Sequence, residues 1–228
     1  MKAIGIMSGT SLDGIDICLV NIHQIKKDYT YEIEQFKSYK YRLSLINKIK
    51  EASKNDTSTV QKICSLNYEA AYAYVEAIQQ FINDTSCNMV EVGFIAMHGQ
   101  TVWHNPNHMD GYFSSTLQIG EPAVIAYAFN KKVISNFRTM DMAAGGSGAP
   151  LIPFVNYQLY KNQNKNIAFQ NIGGIGNVCY LKKNSSPDDV IAFDTGPGNM
   201  LIDGAMQKLY HLDYDAFGNI AKKGKMIT

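Results

Sequence analysis

The sequence predicts an α/β protein, and three observations support this fold class. Short apolar runs typical of buried strands alternate with longer stretches of helical periodicity. A strand, a glycine-rich turn and a return strand open the chain and recur from Ile167, which favours a duplicated architecture with one phosphate loop per lobe. The 228 residues are 46% hydrophobic and 18% charged, as is ordinary for a folded globular protein.

The first lobe is predicted to begin with a hairpin, formed by a buried strand at 3–7 and a return strand at 15–22. The polar tract at 24–60 predicts an outer strand and then a helix. Apolar residues spaced three and four apart over 61–82 predict an amphipathic helix that covers the core.

Strands and a helix are predicted to follow in the rest of this lobe. An apolar strand at 92–97 delivers the polar residues 98–101 at its carboxyl end, where ligand groups gather in helix-covered sheets. Residues 117–130 predict a turn and a helix started by a proline. A further strand at 133–137 is predicted to end at Arg138.

The glycine-dense segment 143–150 suits a hinge or a loop pressed against a ligand. We place the boundary there, with the first lobe at 1–145 and the second at 146–228.

The second lobe is predicted to start with a short helix at 151–160. The repeated hairpin follows, with strands at 167–171 and 178–181 around a glycine turn. An apolar strand at 190–193 is predicted to end at Asp194, before another helix.

Composition argues against several classes of partner. The net charge of +1, with scattered lysine pairs, gives no basic surface for nucleic acid. No apolar run approaches the ~20 residues that a membrane-spanning helix needs. The apolar stretch near the start of the chain is too short for the hydrophobic region of a signal sequence. The cysteines are widely spaced. We therefore expect a cytoplasmic protein that binds neither nucleic acid nor membrane.

The turn of the opening hairpin has the features of a phosphate-binding loop. Ser8, Thr10 and Ser11 carry hydroxyl donors, and Gly9 lets the backbone approach a ligand closely. Consecutive backbone N–H groups in such a turn form an anion-binding concavity. The loop is not a Walker motif, because no Gly-Lys-Ser/Thr follows.

Candidate metal ligands are few. Asp13 precedes a glycine, as turn-forming residues do, and Asp16 lies on the polar face of its strand; either can reach a phosphate-bound Mg²⁺ ion through water. The spacing of His98, His104 and His108 is not that of a zinc site. No metal site made by the protein alone is predicted.

Other polar residues could carry chemistry, and each has a structural alternative. Asp194 is placed as a general base or as a helix cap. Gln100 and Thr101 can bind the hydroxyls of a polar substrate or tether a loop. Arg138 can grip a carboxylate or a phosphate, or pair with Asp141.

Seven motifs, in this order, are similar to those of the bacterial anhydro-N-acetylmuramic acid kinases. They are Gly-Ile-Met-Ser-Gly-Thr-Ser-Leu-Asp-Gly-Ile-Asp (5–16), His-Gly-Gln-Thr (98–101), Gln-Ile-Gly (118–120), Asn-Phe-Arg-x-x-Asp (136–141), Gly-Gly-x-Gly-Ala-Pro-Leu (145–151), Asn-Ile-Gly-Gly-Ile-Gly-Asn (171–177) and Phe-Asp-Thr-Gly-Pro-Gly-Asn (193–199). The resemblance extends from the first strand to about residue 223.

The resemblance implies a ribonuclease-H-like, actin-type ATPase fold, with ATP and Mg²⁺ between two lobes. It implies that ATP phosphorylates O6 of 1,6-anhydro-N-acetylmuramic acid while water opens the anhydro bridge, giving N-acetylmuramic acid 6-phosphate in cell-wall recycling. Proteins of this family are considerably longer. We therefore expect the second lobe to be incomplete here, as in a fragment or the product of a split gene. Whether the protein forms a homodimer is left open.

The resemblance also implies roles for individual residues. Asp194 matches the catalytic aspartate that activates the water, and Arg138 matches an arginine at the sugar site. The residues implied to wrap the ATP phosphates are Ser8, Gly9, Thr10, Ser11, Asp13, Gly173, Gly174 and Asn177.

Two alternatives remain at this point. One is a kinase for another anhydro sugar, such as 1,6-anhydroglucose. The other is a non-catalytic ATP-binding module of the actin or chaperone kind, which has little use for a general base at Asp194.

Overall fold

The chain forms two units, Met1–Ala149 and Pro150–Thr228, in a computed structural model. The residues described are 1–25, 28–109, 111–161 and 164–225. Strands and helices alternate in both units, so the predicted α/β class is confirmed. The division between the units falls inside the glycine-dense segment 143–150.

A mixed five-stranded sheet, in the order β3-β2-β1-β4-β7, forms the centre of unit 1. The strand β1 runs antiparallel to β2 and parallel to β4, and β2 pairs antiparallel with β3 at the edge. The elements of this unit are β1 (Lys2–Met7), β2 (Ile15–Ile25), β3 (Asp28–Tyr39), α1 (Leu43–Ala52), α2 (Val60–Thr85), β4 (Val92–Met97), β5 (Gln100–Asn105), β6 (Ser115–Ile119), α3 (Pro122–Phe129), β7 (Lys132–Ile134) and α4 (Phe137–Ala143).

The long helix α2 supplies much of the core of unit 1. It begins after Thr59, whose hydroxyl accepts from the backbone N of Lys62 at 3.2 Å and so satisfies one free amide of the first turn. Its apolar stripe is buried as the periodicity predicts, and Tyr74 and Phe81 are fully inaccessible. Fully burying a large apolar side chain contributes about 1.5–3 kcal/mol. The side chains of this helix therefore have fixed positions, including those that lie near the carboxyl ends of the strands.

Two predictions for unit 1 are wrong in detail. Residues 117–119, at the start of the predicted turn, belong instead to strand β6 (Ser115–Ile119), which pairs with β5 in a separate two-stranded sheet. The strand predicted over 133–137 is only Lys132–Ile134 long, because Asn136 adopts a left-handed conformation with φ of 62° and starts helix α4. Arg138 therefore lies in the first turn of a helix.

A three-stranded antiparallel sheet, in the order β10-β9-β8, forms the centre of unit 2. Its small core contains Tyr157, Cys179 and Leu181. The elements are α5 (Ile152–Tyr160), β8 (Ile167–Ile172), β9 (Ile175–Leu181), β10 (Ile191–Pro197) and α6 (Met200–Tyr210), with 3₁₀ turns at Pro187–Asp189, Ala216–Gly218 and Ala221–Lys223.

The strand predicted to end at Asp194 continues to Pro197. The register shifts between Asp194 and Gly196, where a bulge and a φ of 112° at Gly196 let the chain stay paired through the glycine-proline sequence. Asp194 thus lies inside β10, next to the bulge.

Candidate active site

The loop between β1 and β2 is held from below by a buried hydrogen-bond network. Ser8 is almost fully buried, and its Oγ lies 2.7 Å from the hydroxyl of Tyr74 and donates to the backbone O of Gly99 at 3.2 Å. Burial raises the pKa of Tyr74 well above its usual value, so this hydroxyl stays protonated. The structure therefore does not favour the predicted contact between the Ser8 hydroxyl and a ligand, because this hydroxyl is already hydrogen-bonded inside the unit.

Gln100 ties the same loop to strand β5. Its side chain is fully inaccessible, and Nε2 donates to the backbone O of Gly9 at 3.1 Å. The hydroxyl of Tyr41 donates to Oε1 at 3.4 Å. The structure thus favours loop tethering, the alternative that the sequence left open, over a contact between Gln100 and a sugar hydroxyl.

The outer part of the loop is free to meet a ligand. Thr10, Ser11 and Asp13 are exposed, while Leu12 points into the core with a φ of 57°. The Oγ of Ser11 donates to Oδ1 of Asp13 at 2.9 Å. The other carboxylate oxygen makes no described bond. One such carboxylate beside a phosphate loop fits Mg²⁺, which binds through one or two carboxylates plus substrate phosphates.

Replacing Tyr74 with Phe tests the network beneath the loop. We expect the free energy of unfolding to fall by about 1–2 kcal/mol, because the Oγ of Ser8 loses a short buried hydrogen bond. Tyr41→Phe is the matched control, since it also removes one buried hydroxyl, but from bonds of 3.4 Å, and should cost less. Urea denaturation of the variants measures both. Equal losses would show that the Ser8–Tyr74 bond contributes nothing specific.

Arg138 is held by two bonds within unit 1. Its Nε donates to Nε2 of His98 at 2.8 Å, and its Nη1 donates to the backbone O of Gly148 at 2.7 Å. Asp141 accepts from the backbone N of Gly148 at 2.7 Å instead of pairing with Arg138. The ion pairs of the described residues do not include Arg138, so the alternative of a pair with Asp141 is not what this structure shows.

Thr101 lies next to Gln118, on the paired strands β5 and β6. The Nε2 of Gln118 donates to the hydroxyls of Thr101 and Thr116 at 3.2 and 2.8 Å. The Oε1 of Gln118 is buried and has no partner among the described residues. Thr101 is thus partly engaged, and its predicted contact with substrate stays a prediction.

In unit 2, Asp194 lies in a polar row that crosses the sheet. It is directly opposite Asn177 on β9, which is itself opposite Asn171 on β8. Opposed residues of antiparallel strands project to the same face with Cβ atoms ~5 Å apart. The Asp194 side chain is exposed and makes no described hydrogen bond or ion pair. The structure thus brings two predicted site residues, Asp194 and Asn177, together.

The glycine turn of unit 2 contacts the start of α6. The backbone O atoms of Gly173 and Gly174 accept from Asn199 and Gly198, both at 2.8 Å. A Cβ on Gly198 would lie 2.5 Å from the O of Gly173, so this contact requires glycine. The N–H groups of Gly173 and Gly174 donate in none of these contacts, which leaves them available to an anion.

The described residues contain no group of three or more His, Cys, Asp or Glu side chains that could hold a metal ion. The three histidines that the sequence raised as a possible zinc site have separate partners. His104 bonds with Thr116, His108 packs against the ring of Phe113, and His98 accepts from Arg138. None of the described helices has the length and apolar content that crossing a membrane requires.

Comparison with known proteins decides the family. The family model for anhydro-N-acetylmuramic acid kinase matches residues 1–228. The chain belongs to the anhydro-N-acetylmuramic acid kinase family. It is 47% identical over 226 residues to the anhydro-N-acetylmuramic acid kinase of Clostridioides difficile (strain 630), and 48% identical over 227 residues to that of Bacillus cereus (strain G9842).

These alignments cover 99% and 100% of this chain, which spans 59% of the length of either relative. Among solved structures, YeaZ from Pseudomonas aeruginosa aligns over 87% of this chain and 68% of its own, at 9% identity. Its TM-score of 0.25 is too low to indicate a shared fold.

Sequence reasoning about this member of the kinase family missed several residues of the site. The sequence places His98 among the polar residues at the end of a strand but predicts no contact with Arg138, and Tyr74 falls in the apolar stripe of the helix predicted over 61–82. The partners of both come from distant parts of the chain, so no local pattern reports them. The one available signal was that His98 and Gln100 share the His-Gly-Gln-Thr motif, which the structure ties to Arg138 and to the phosphate loop.

Proposed function

We propose that this chain carries the phosphate-binding and catalytic residues of an ATP-dependent kinase that acts on 1,6-anhydro-N-acetylmuramic acid. The observation that supports this most directly is the 47–48% identity, along essentially the whole chain, to proteins named anhydro-N-acetylmuramic acid kinase. The product of the proposed reaction is N-acetylmuramic acid 6-phosphate, an intermediate of cell-wall recycling.

The architecture supports an actin-type ATPase fold with two ribonuclease-H-like lobes. Each unit contains three consecutive antiparallel strands in the same arrangement, β3-β2-β1 in unit 1 and β10-β9-β8 in unit 2. In each unit a turn with a candidate phosphate role joins the first two of these strands. This repetition is what a duplicated, two-lobed nucleotide-binding fold requires.

Each unit has its own candidate phosphate contacts, in the exposed part of its turn. Thr10 and Ser11 offer hydroxyl groups, and the N–H groups of Gly173 and Gly174 can donate to phosphate oxygens. Asp13 would hold Mg²⁺, which neutralises charge on the phosphates when it is bound. Asn177 would contribute an amide from the row beside Asp194.

Asp194 is proposed as the general base. Its exposed carboxylate, which bonds to none of the described residues, can accept a proton from a water molecule as the water oxygen bonds to C1 of the sugar. The C1–O6 bond breaks, O6 takes the electron pair and bonds to the γ-phosphorus, and ADP leaves. Arg138 would bind the sugar through the guanidinium edge that His98 and Gly148 leave free.

Mass spectrometry of the product tests the proposal. The full gene product, incubated with Mg-ATP and 1,6-anhydro-N-acetylmuramic acid, is expected to yield a sugar heavier by both a phosphate and a water. Parallel incubation with 1,6-anhydroglucose distinguishes the alternative substrate. ATP binding with neither product would contradict the kinase and favour a non-catalytic module.

A further inference from the structure

His98 stands where three motifs of unit 1 meet. It follows β4, and its backbone N donates to the backbone O of Ile6 at 3.1 Å, which fixes it beside β1. Its ring lies between two partners, with Nδ1 at 2.7 Å from the O of Gly99 and Nε2 at 2.8 Å from Nε of Arg138. A carbonyl only accepts and a guanidinium only donates. The geometry therefore puts the ring proton on Nδ1 and the lone pair on Nε2.

The bond to His98 sets the direction of the Arg138 side chain. Nε donates to the His98 ring and Nη1 donates to the O of Gly148, and these two bonds together fix the orientation of the guanidinium plane. Gly148 is held from its other side by Asp141, one helical turn further along α4. Its φ of 73° and the approach of Met142, 2.9 Å from where a Cβ would lie, require glycine at this position. The glycine-rich loop and Arg138 are thus fixed together.

The charge of Arg138 is not neutralised in this arrangement. Its described partners are a neutral imidazole and a carbonyl, and its Nη2 has no partner among the described residues. Arg138 is half-buried, and burial lowers its pKa from the usual value. An anionic ligand would therefore gain more here than at an exposed arginine.

Resting on the function proposed above, we propose that His98 is a positioning residue for substrate binding. As a neutral acceptor it aims the free Nη2 edge of Arg138 at an anionic group of the sugar substrate. Protonation of His98 removes the acceptor and sets two cations against each other, so the substrate contact is lost in acid.

The surroundings of His98 define the sign of this pH dependence. Arg138 of α4 is the nearest charge, and His104 of β5 lies near Gly148. His98 lines a cavity of about 440 Å³, which Cys64 and Glu121 also line. Burial, the largest cause, and the charge of Arg138 lower the pKa of His98 below its usual 6.5, although hydrogen bonding to the backbone of Gly99 and Ser8 raises it in part. The ring is therefore neutral at pH 7. The value of kcat/KM for the sugar should fall as the pH drops toward the pKa of His98.

Two substitutions separate the acceptor role from packing. Gln places an oxygen near the position of Nε2, whereas Asn reaches only the position of Nδ1. For His98→Asn we expect KM for the sugar to rise about tenfold, the usual effect of losing one charge-assisted hydrogen bond, with kcat changed less. For His98→Gln we expect a rise of less than about threefold, and the acid limb of the pH profile should begin at a lower pH than in the wild type. Thermal unfolding by circular dichroism checks that both variants fold.

Nitrogen-15 NMR of the His98 ring gives a readout that needs no turnover. Wild type should show the Nδ1–H tautomer, and Arg138→Met should shift the Nε2 resonance and raise the pKa of the ring. Absence of turnover in wild type would overturn the proposed function and leave this geometric part standing. An Nε2–H tautomer, equal KM values for the two His98 variants, or an acid limb at the same pH in His98→Gln as in the wild type would overturn the positioning role.

Discussion

Replacing Asp194 with Asn is expected to lower kcat by about 10³-fold, within the range that general bases contribute, and to leave the affinity for ATP nearly unchanged. The amide is close to isosteric with the carboxylate, but it cannot accept a proton from the attacking water. Asp194 is exposed and bonds to no described residue, so the substitution removes no structural contact. Product formation measured by mass spectrometry gives kcat, and calorimetric titration with ATP gives the dissociation constant.

The control for this prediction is Asp188→Asn. Asp188 is also exposed, lies in unit 2 in the 3₁₀ turn before β10, and the substitution makes the same change in charge. It should leave kcat unaltered. Near-normal turnover in Asp194→Asn would remove Asp194 from the chemistry. A parallel loss of ATP binding would instead indicate that the carboxylate acts on the nucleotide or its metal ion.

The position of Asp194 shows what the sequence could and could not predict about the site. An apolar run followed by Asp-Thr-Gly-Pro-Gly predicts a carboxylate beside a turn, and the structure confirms a strand and a following helix there. The pairing of Asp194 with Asn177 depends on strand register, which is continuous from Ile191 to Asp194 and shifts only after Asp194. Register is a property of two strands together, so the local pattern did not predict it.

The fold was predicted best where one periodicity extends over a long segment. Helix α2 was predicted within three residues at either end, because its apolar stripe, from Ile63 to Phe81, repeats over about five turns. The short polar strands β5 and β6 were missed. They pair with each other, and their sequences, QTVWHN and STLQI, contain too few apolar residues for a clear alternation.

Gly120→Ala is expected to destabilise unit 1 by about 3–5 kcal/mol, through overpacking and backbone strain together. A Cβ at this position would lie 2.4 Å from Cε2 of Tyr74, and the φ of 113° is unfavourable for any residue with a side chain. Tyr74 is fully buried and cannot move aside without losing its hydrogen bond to Ser8. The glycine of the Gln-Ile-Gly motif thus supports the phosphate loop at a distance. Urea denaturation measures the loss of stability.

Gly145→Ala separates the two causes, because Gly145 also lies in unit 1 with a positive φ, of 95°, but has no atom within 4 Å of the added Cβ. We expect this control to lose only about 1–2 kcal/mol, the backbone part of the effect. Gly120→Ala should also weaken ATP binding, since displacement of Tyr74 releases Ser8 beneath the loop. Equal losses of stability in the two variants would mean that Tyr74 adapts to the added methyl group, and the proposed link from Gly120 through Tyr74 to the phosphate loop would then be wrong.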